Sequence, residues 1–384
     1  YRRIESTLLD RWDAPLVNDF LCMIAFGASR NLLKKWLGDE GLTLHNDVMI
    51  GQGDIVSAEP AQRIAKMGRI VAEHSIPDDQ IEAHPALKDE LVSYLEKFGD
   101  RCTEELKLES IPLTEDASQL LAAIAASAKR PPAAHAVASE PDWASIFHGR
   151  PIKARLAKWI VNWAKSRVRD RENLRFERTR LFGRARQVFL SMGREFAARD
   201  LIDQPRDVFH LTVTEIMGAI EGFGLSPNLR GLISLRQAED LASANREDPP
   251  ERIEVRGPAI LPATTTHAAD EIVETGDTRT ATGCSAGQVT AKARVIRDPR
   301  TESLTPGDIL VARHTDPGWI AVFSNASAIV VERGSLLSHS AIVARELGIP
   351  CVVGLKGATH WVEDGEMLHV DGATGLVRKH DAKL

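Results

Sequence analysis

The chain has 384 residues, of which 27 % are charged and 43 % hydrophobic, and its formal net charge is −6. At roughly 100–200 residues per domain, this length predicts two or three domains. The weak net acidity argues against a general nucleic-acid binder, and no apolar run approaches the ~18 residues of a membrane span. Four scattered cysteines without metal-ligand spacing predict a reduced, cytoplasmic protein with no metal site. Because it starts at Tyr1, the chain is expected to be a piece of a longer polypeptide.

Residues 1–245 are predicted to form a mainly α-helical domain, since apolar residues recur there with a period of 3.6. The clearest runs are residues 120–128, 152–168 and 174–199. The proline- and alanine-rich residues 129–142 are expected to form a loop between helices. Glycines that are expected to end helices are Gly38, Gly41, Gly99 and Gly193.

Residues 246–280 have the composition of a linker, and residues 281–384 have the sequence pattern of a small α/β domain. Short β-branched runs separated by Asp-Pro and Pro-Gly turns predict strands in this last part. These runs are residues 293–296, 309–312, 328–331, 351–353 and 367–370. One helix is predicted at residues 340–347, because Gly348 and Pro350 follow it. The predicted fold class is therefore multidomain, a helical domain followed by a small α/β domain.

A histidine at the start of that helix is the most informative residue. Ser338 occupies the N-cap position, so His339 falls in the first turn. Free backbone N–H groups and the helix dipole favour an anion there. An imidazolium is disfavoured at such a place, whereas an imidazole that carries a phosphoryl group is favoured. For an isolated histidine, a role in capping or packing is the alternative.

The residues around this histidine resemble a known motif. Residues 331–354 are similar to the phosphohistidine motif of the phosphoenolpyruvate-utilising enzymes, with Gly334 and Ser335 in place of the usual Gly-Gly. Further stretches resemble the same domain in the rifampicin-type, ATP-dependent dikinases, namely residues 283–289, 308–312 and 315–319. The resemblance implies a phosphohistidine domain that swivels, which the predicted linker would permit.

The helical part resembles the middle, acceptor-binding domain of the same dikinases. The similar segments are residues 51–60, 98–108, 171–175 and 205–212. Within the second segment, Arg101, Glu104 and Glu105 are possible acceptor-site residues. A buried structural ion pair between Arg101 and one of the glutamates is the alternative.

Two arginines of the third segment, residues 171–175, are candidates for binding the transferred phosphate, together with Ser338. Arg171 and Arg175 are four residues apart, hence on one helix face, and can clamp a phosphoryl group. Arg178 is a further candidate. Residues 150–186 hold thirteen Lys or Arg against three acids, and most of these are expected to form a solvated helix face. RNA binding is the alternative, although few aromatic residues interleave with the cluster.

The resemblance implies a two-step phosphotransferase with paired acceptors. His339 would take the β-phosphoryl group of ATP, with AMP released and the γ-phosphate leaving as inorganic phosphate. It would then pass the group to a small-molecule acceptor. ATP and Mg²⁺ would bind an ATP-grasp domain that does not fit within 384 residues, so that domain is expected upstream or in a partner chain. Two alternatives stay open: a condensing, ligase-like enzyme, and a phosphocarrier without its own acceptor.

Overall fold

The computed structural model describes residues 13–49, 56, 59–129, 140–224, 226–244, 246 and 276–380. The chain separates into two compact units, one of Tyr1–Arg184 with Gly276–Leu384 and one of Ala185–Thr275. The domain limits inferred from composition (1–245, 246–280 and 281–384) stay predictions, because linker residues 247–275 lie outside the described part. The predicted loop at 129–142 and the segment 51–60, which resembles the acceptor-binding domain, also lie mostly outside the described residues.

Helices build the first part of the larger unit. Those described are α1 (Asp13–Leu37), α2 (Asp39–Val48), α3 (Glu59–Glu73), α4 (Pro85–Phe98), α5 (Ser118–Ala128), α6 (Trp143–Ile146) and α7 (Pro151–Ala198), with a 3-10 turn at Asp78–Gln80. The three predicted helical runs are confirmed. The runs at 152–168 and 174–199 form one continuous helix, because neither glycine nor proline stands between them.

Of the four glycines expected to end helices, two lie at helix ends and two lie inside helices. Gly38, with a φ of 67°, separates α1 from α2, and Gly99 caps α4, as predicted. Gly41 and Gly193 lie inside α2 and α7, so the prediction that they end helices was wrong. A Cβ at Gly193 would lie 2.0 Å from the carbonyl oxygen of Pro205. This glycine therefore allows two backbone segments to touch rather than ending a helix.

A mixed sheet of eight strands, in the order β1-β8-β7-β3-β4-β5-β6-β2, forms the C-terminal end of the described chain. Its strands are β1 (Thr278–Thr280), β2 (Thr282–Ser285), β3 (Gln288–Val295), β4 (Ile309–Ala312), β5 (Ala328–Val331), β6 (Cys351–Val353), β7 (Met367–Asp371) and β8 (Leu376–Lys379). The five predicted strands are confirmed, and β3 to β6 run parallel. The sequence missed β1, β2 and β8, which are only three or four residues long.

Three helices accompany the sheet, α10 (Ile320–Phe323), α11 (His339–Leu347) and α12 (Ala358–Trp361), with a 3-10 turn at Pro317–Trp319. Helix α11 connects the parallel strands β5 and β6. One face of the sheet, including Leu310 and Ile329, belongs to a core that also contains Ile64, Phe98 and Ile124 of the helical part. The sheet and the helices of this unit therefore share buried apolar surface, which fixes the start of α11 relative to α7.

The second unit contains the end of α7, a 3-10 helix at Pro205–His210, α8 (Val213–Glu221) and α9 (Leu229–Ala244). Thr212 and Glu215 form a capping box at the start of α8. Arg236 from α9 contacts the carboxylate of Glu215 at 2.7 Å, which ties the two helices together. No helix in the described ranges has both the length and the apolar character of a membrane span.

Candidate functional site

His339 is the first residue of α11, so the predicted helix start is confirmed to within one residue. The hydroxyl of Ser338 caps the helix by accepting from the backbone N–H of Ala341 at 3.5 Å. The imidazole is only 7 % exposed, and the Phe323 ring lies 6.0 Å from it between centroids. Local sequence thus places this side chain at a helix N-terminus, and tertiary packing buries it.

Three arginines share the environment of this imidazole. The pKa of His339 is held well below its usual value, first by burial and then by Arg101, Arg175 and Arg171 in that order. The ring is therefore neutral near pH 7. Its Nε2 atom is buried and has no hydrogen-bond partner among the described residues. The structure thus brings together four residues that the sequence analysis singled out separately.

The loop before His339 is anchored on two sides by arginine. Arg171 Nη1 donates to the carbonyl oxygen of Leu337 at 2.9 Å. Arg345 of α11 donates from Nη1 to the carbonyl oxygen of Leu336 at 2.8 Å. Arg345 lies within the motif of residues 331–354, and no sequence signal indicated this contact. Together the two side chains fix the approach of the backbone to the histidine.

Carboxylates hold the arginines of α7 in place. Glu172 is buried, and its Oε1 lies 3.1 Å from Arg171 and 3.7 Å from Arg175. Asp19 of α1 lies 3.1 Å from Arg171, a contact that no sequence signal indicated. The Nε atoms of Arg175 and Arg178 are buried and lack hydrogen-bond partners within the described ranges. Arg175 therefore keeps donor capacity for an anion.

The acceptor-site candidates separate into two environments. Arg101 and Glu105 are both buried, 4.0 Å apart, in the geometry of the alternative ion pair. Thr179 donates to Glu105 at 2.6 Å, and burial raises the pKa of this carboxyl group. Glu104 is partly exposed and instead contacts Lys107 at 2.6 Å. The structure thus places Arg101 beside His339 and leaves Glu104 nearer the surface.

A loop from the C-terminal part packs directly on the loop that carries Arg101. Asp316 accepts from the backbone N–H of Glu104 at 2.7 Å and from that of Gly318 at 2.8 Å. A Cβ at Gly318 would lie 2.4 Å from the carbonyl oxygen of Cys102. Glu104 adopts a φ of 58°, which Asp316 helps to hold. Residues 315–319, which we call the latch segment, therefore join the two parts of this unit by packing and hydrogen bonds.

Five of the remaining basic residues of 150–186 are exposed, as on a solvated helix face, whereas Arg186 is buried. Lys158 contacts Glu140 at 2.7 Å and Arg180 contacts Glu177 at 3.4 Å, all with exposed side chains. Such pairs add little stability. In the part of the chain that the structure describes, no group of three or more His, Cys, Asp or Glu side chains could hold a metal ion.

Two family models match this chain. Residues 304–375, which include His339, match the mobile domain of PEP-utilising enzymes. Residues 17–172, which include Arg101 and Arg171, match the fourth domain of rifampicin phosphotransferase. The resemblance drawn from the motifs is thereby confirmed: these two segments are similar to the mobile domain of PEP-utilising enzymes and to the fourth domain of rifampicin phosphotransferase.

Several curated relatives are similar over most of this chain. An uncharacterised protein of Mycobacterium tuberculosis is 31 % identical over 320 residues, covering 83 % of this chain and 33 % of its own length. A rifampicin phosphotransferase of a Streptomyces species is 25 % identical over 374 residues, covering 90 % and 42 %. The prodigiosin synthesizing transferase PigC of Serratia marcescens is 31 % identical over 319 residues, covering 79 % and 34 %. The chain thus spans a third to two fifths of these relatives.

We expect His339 to make the free energy of unfolding depend on pH. The folded chain keeps the imidazole neutral, whereas the unfolded chain binds a proton near the ordinary pKa of 6.5, so acid favours unfolding. Below pH 6.5 the wild type should lose up to about 1.4 kcal/mol per pH unit relative to His339→Gln. Urea denaturation of both chains between about pH 7.5 and about pH 5.5 measures this difference.

Both chains keep His45, whose pKa is lowered to about 3 by burial, so its contribution cancels in the comparison. Parallel pH profiles for the two chains would contradict a buried, neutral His339.

Proposed function

We propose that this chain performs the transfer half of a cytoplasmic, ATP-dependent phosphotransferase of the dikinase type. His339 carries a phosphoryl group on Nε2 and passes it to a small-molecule acceptor held by the helical part. The single observation that carries the proposal is a buried imidazole at a helix N-terminus, whose Nε2 has no hydrogen-bond partner among the described residues and whose preceding loop is bound by Arg171. The matches to phosphotransferase families support a phosphotransferase-like function in the same direction.

The charges around His339 suit the phosphorylated ring better than the free one. A protonated imidazole would be repelled by Arg101, Arg171 and Arg175, whereas a phosphoryl group brings negative charge among the same guanidinium groups. A neutral imidazole is also the form that can bond to phosphorus. The site therefore favours the nucleophilic and the phosphorylated state, and disfavours the imidazolium.

The transfer step needs a nucleophile, a leaving group and charge neutralisation. An acceptor hydroxyl attacks phosphorus, the bond between phosphorus and Nε2 breaks, and the imidazole takes up the proton that the hydroxyl loses. Arg175 and Arg171 stabilise the charge on the phosphoryl oxygens as they move. Arg171 also holds the Leu337 carbonyl, so it keeps His339 in position during the transfer.

ATP with Mg²⁺ would supply the phosphoryl group from an ATP-grasp domain, in the same polypeptide or in a partner chain. For His339 to meet such a domain it must leave its buried position. The swivelling of the C-terminal part that the motif implies therefore belongs to the proposal.

A condensing enzyme is the second candidate function. The observation that favours it is the 31 % identity to a prodigiosin synthesizing transferase. In this case the phosphorylated acceptor would be an intermediate, and a coupled product would appear together with free phosphate. Product analysis separates the two candidates, since a phosphotransferase leaves the phosphate on the acceptor.

We expect His339 to become phosphorylated when the chain is combined with an ATP-grasp donor domain, ATP and Mg²⁺. The adduct should be acid-labile and base-stable, as a phosphoramidate is, and mass spectrometry should locate it on His339. His339→Ala should abolish both the adduct and turnover. His360→Ala, which changes an exposed histidine of the same α/β part, is the matched control and should behave as the wild type.

An acid-labile phosphate on the His339→Ala chain would overturn the proposal. Phosphate on Ser338 or Ser340 would resist acid, so the stability of the adduct distinguishes these neighbours.

We expect Arg175→Ala to slow transfer to the acceptor by about 10²-fold or more, because a charge contact with the moving phosphoryl group is lost. Phosphorylation of His339 at the donor domain should continue. Single-turnover release of labelled phosphate from the phosphorylated chain measures the step. Arg180→Ala, which removes an exposed arginine on the same helix, is the matched control. Equal transfer rates for both variants would assign Arg175 to solvated surface.

A further inference from the structure

A cavity of about 310 Å³ is lined by Arg101 and by residues to which the transfer step gives no role. Its buried end is formed by Ile64, Tyr94, Arg101 and Leu120. The rim is polar and more exposed, and includes Glu104, Glu109, Asp116 and Ser118. Residues of the C-terminal part complete the wall, namely Arg300, Pro317 and Gly318. This volume is at the lower end of the range for small-molecule sites.

Tyr94 presents an unused donor at the closed end of this cavity. Its side chain is 0 % exposed, and its hydroxyl has no hydrogen-bond partner in the described part of the chain. Burial raises its pKa to about 12, so the phenol is protonated throughout the physiological range. A buried hydroxyl without a partner is costly, and such groups are rare unless a ligand or water satisfies them.

Arg101 supplies further donors next to this hydroxyl. It is 3 % exposed, and its Nε and Nη1 atoms are buried without hydrogen-bond partners among the residues described. The rings of Phe98 and Phe176 lie 5.4 Å and 5.6 Å from the guanidinium carbon and fix its plane. The positive charge of Arg101 also acts to lower the pKa of Tyr94, against the larger effect of burial, so the two groups interact electrostatically. This end of the cavity therefore holds unused hydrogen-bond donors, beside the buried carboxyl group of Glu105 that lies 4.0 Å from Arg101 Nε.

We propose that this cavity binds a small organic carboxylate, with the carboxylate between the Tyr94 hydroxyl and the Arg101 guanidinium. A carboxylate only accepts hydrogen bonds, so it can use the unpartnered donors of both Tyr94 and Arg101. Ile64 and Leu120 provide an apolar wall for the body of the molecule.

The position of this site suggests what the ligand is for. Among the charges around His339, Arg101 has the largest effect on the imidazole, so a ligand bound to Arg101 lies close to the transfer site. Pro317 and Gly318 belong to the latch segment, so the cavity is complete only when that segment is seated. Assignment of the carboxylate as the acceptor rests on the proposed function, whereas binding itself does not.

A binding experiment without any phosphoryl donor tests the site. The probes are a panel of small arylalkanoic acids, such as phenylpropionate and phenylbutyrate, each paired with its primary amide. Ligand-observed NMR identifies binders, and calorimetry measures Kd on the whole chain. The acids should bind and their amides should bind at least about tenfold more weakly, because the amide lacks the charge.

Tyr94→Phe should weaken binding of the acids by about tenfold or more. Its Tm without ligand should equal or exceed that of the wild type, because the variant loses only an unsatisfied hydroxyl. Ser93→Ala, which removes an exposed hydroxyl from the same helix outside the cavity lining, is the matched control and should keep the wild-type Kd. A purely packing role for Tyr94 would move Tm and leave Kd unchanged.

The proposal is overturned if no acid of the panel binds, if acids and amides bind equally, or if Tyr94→Phe leaves Kd unchanged. The first outcome would mean that the cavity holds only water. None of these outcomes bears on phosphorylation of His339, which is measured with a donor domain and ATP. Conversely, carboxylate binding with no phosphate on His339 would sustain this site and refute the proposed function.

Discussion

Burial of one uncharged imidazole among three guanidinium groups is the constraint on which the rest of this structure depends. His339 is 7 % exposed, and burial together with Arg101, Arg175 and Arg171 keeps it from holding a proton. Positive groups placed close together repel each other, so the arrangement is stable only if carboxylates offset them. Glu172, between two of the arginines, supplies that compensation. The unused donors are then available for an anion that arrives on the histidine.

The elements around the histidine are held by contacts from distant parts of the chain. Arg171 reaches from α7 to the carbonyl of Leu337, and Arg345 reaches back from α11 to the carbonyl of Leu336. Asp316 joins the backbone of the Arg101 loop. Each of these bonds joins a charged group to a backbone group, which makes it stronger than a neutral hydrogen bond. These polar contacts act together with the apolar core that the sheet shares with Ile64, Phe98 and Ile124, so a moving domain would have to release both.

Much of the site could be predicted because its first determinants are local. An N-cap serine and a following apolar helix place His339 in the first turn from sequence alone. The four-residue spacing of Arg171 and Arg175 places both on one face of α7. The motif resemblances then assigned these residues to a common activity, and the structure brings them together.

The rest depends on contacts between residues far apart in sequence. Nothing local indicates that Asp19 meets Arg171, or that the Tyr94 hydroxyl meets a cavity. Gly193 was expected to end a helix, yet it lies inside one because the Pro205 carbonyl needs the space of a side chain. The short strands at the sheet edges lack enough residues to show an alternating pattern. Tertiary packing decided each of these cases.

The central claim is that His339 carries the phosphoryl group. A crystal structure determined with orthovanadate tests it most directly, because vanadate adopts the geometry of a phosphoryl group in transfer. The account predicts vanadium bonded to Nε2 of His339, with its oxygens accepting hydrogen bonds from Arg175 and Arg171. Vanadate bound elsewhere on the chain, with the imidazole free and the arginines unmoved, would contradict it.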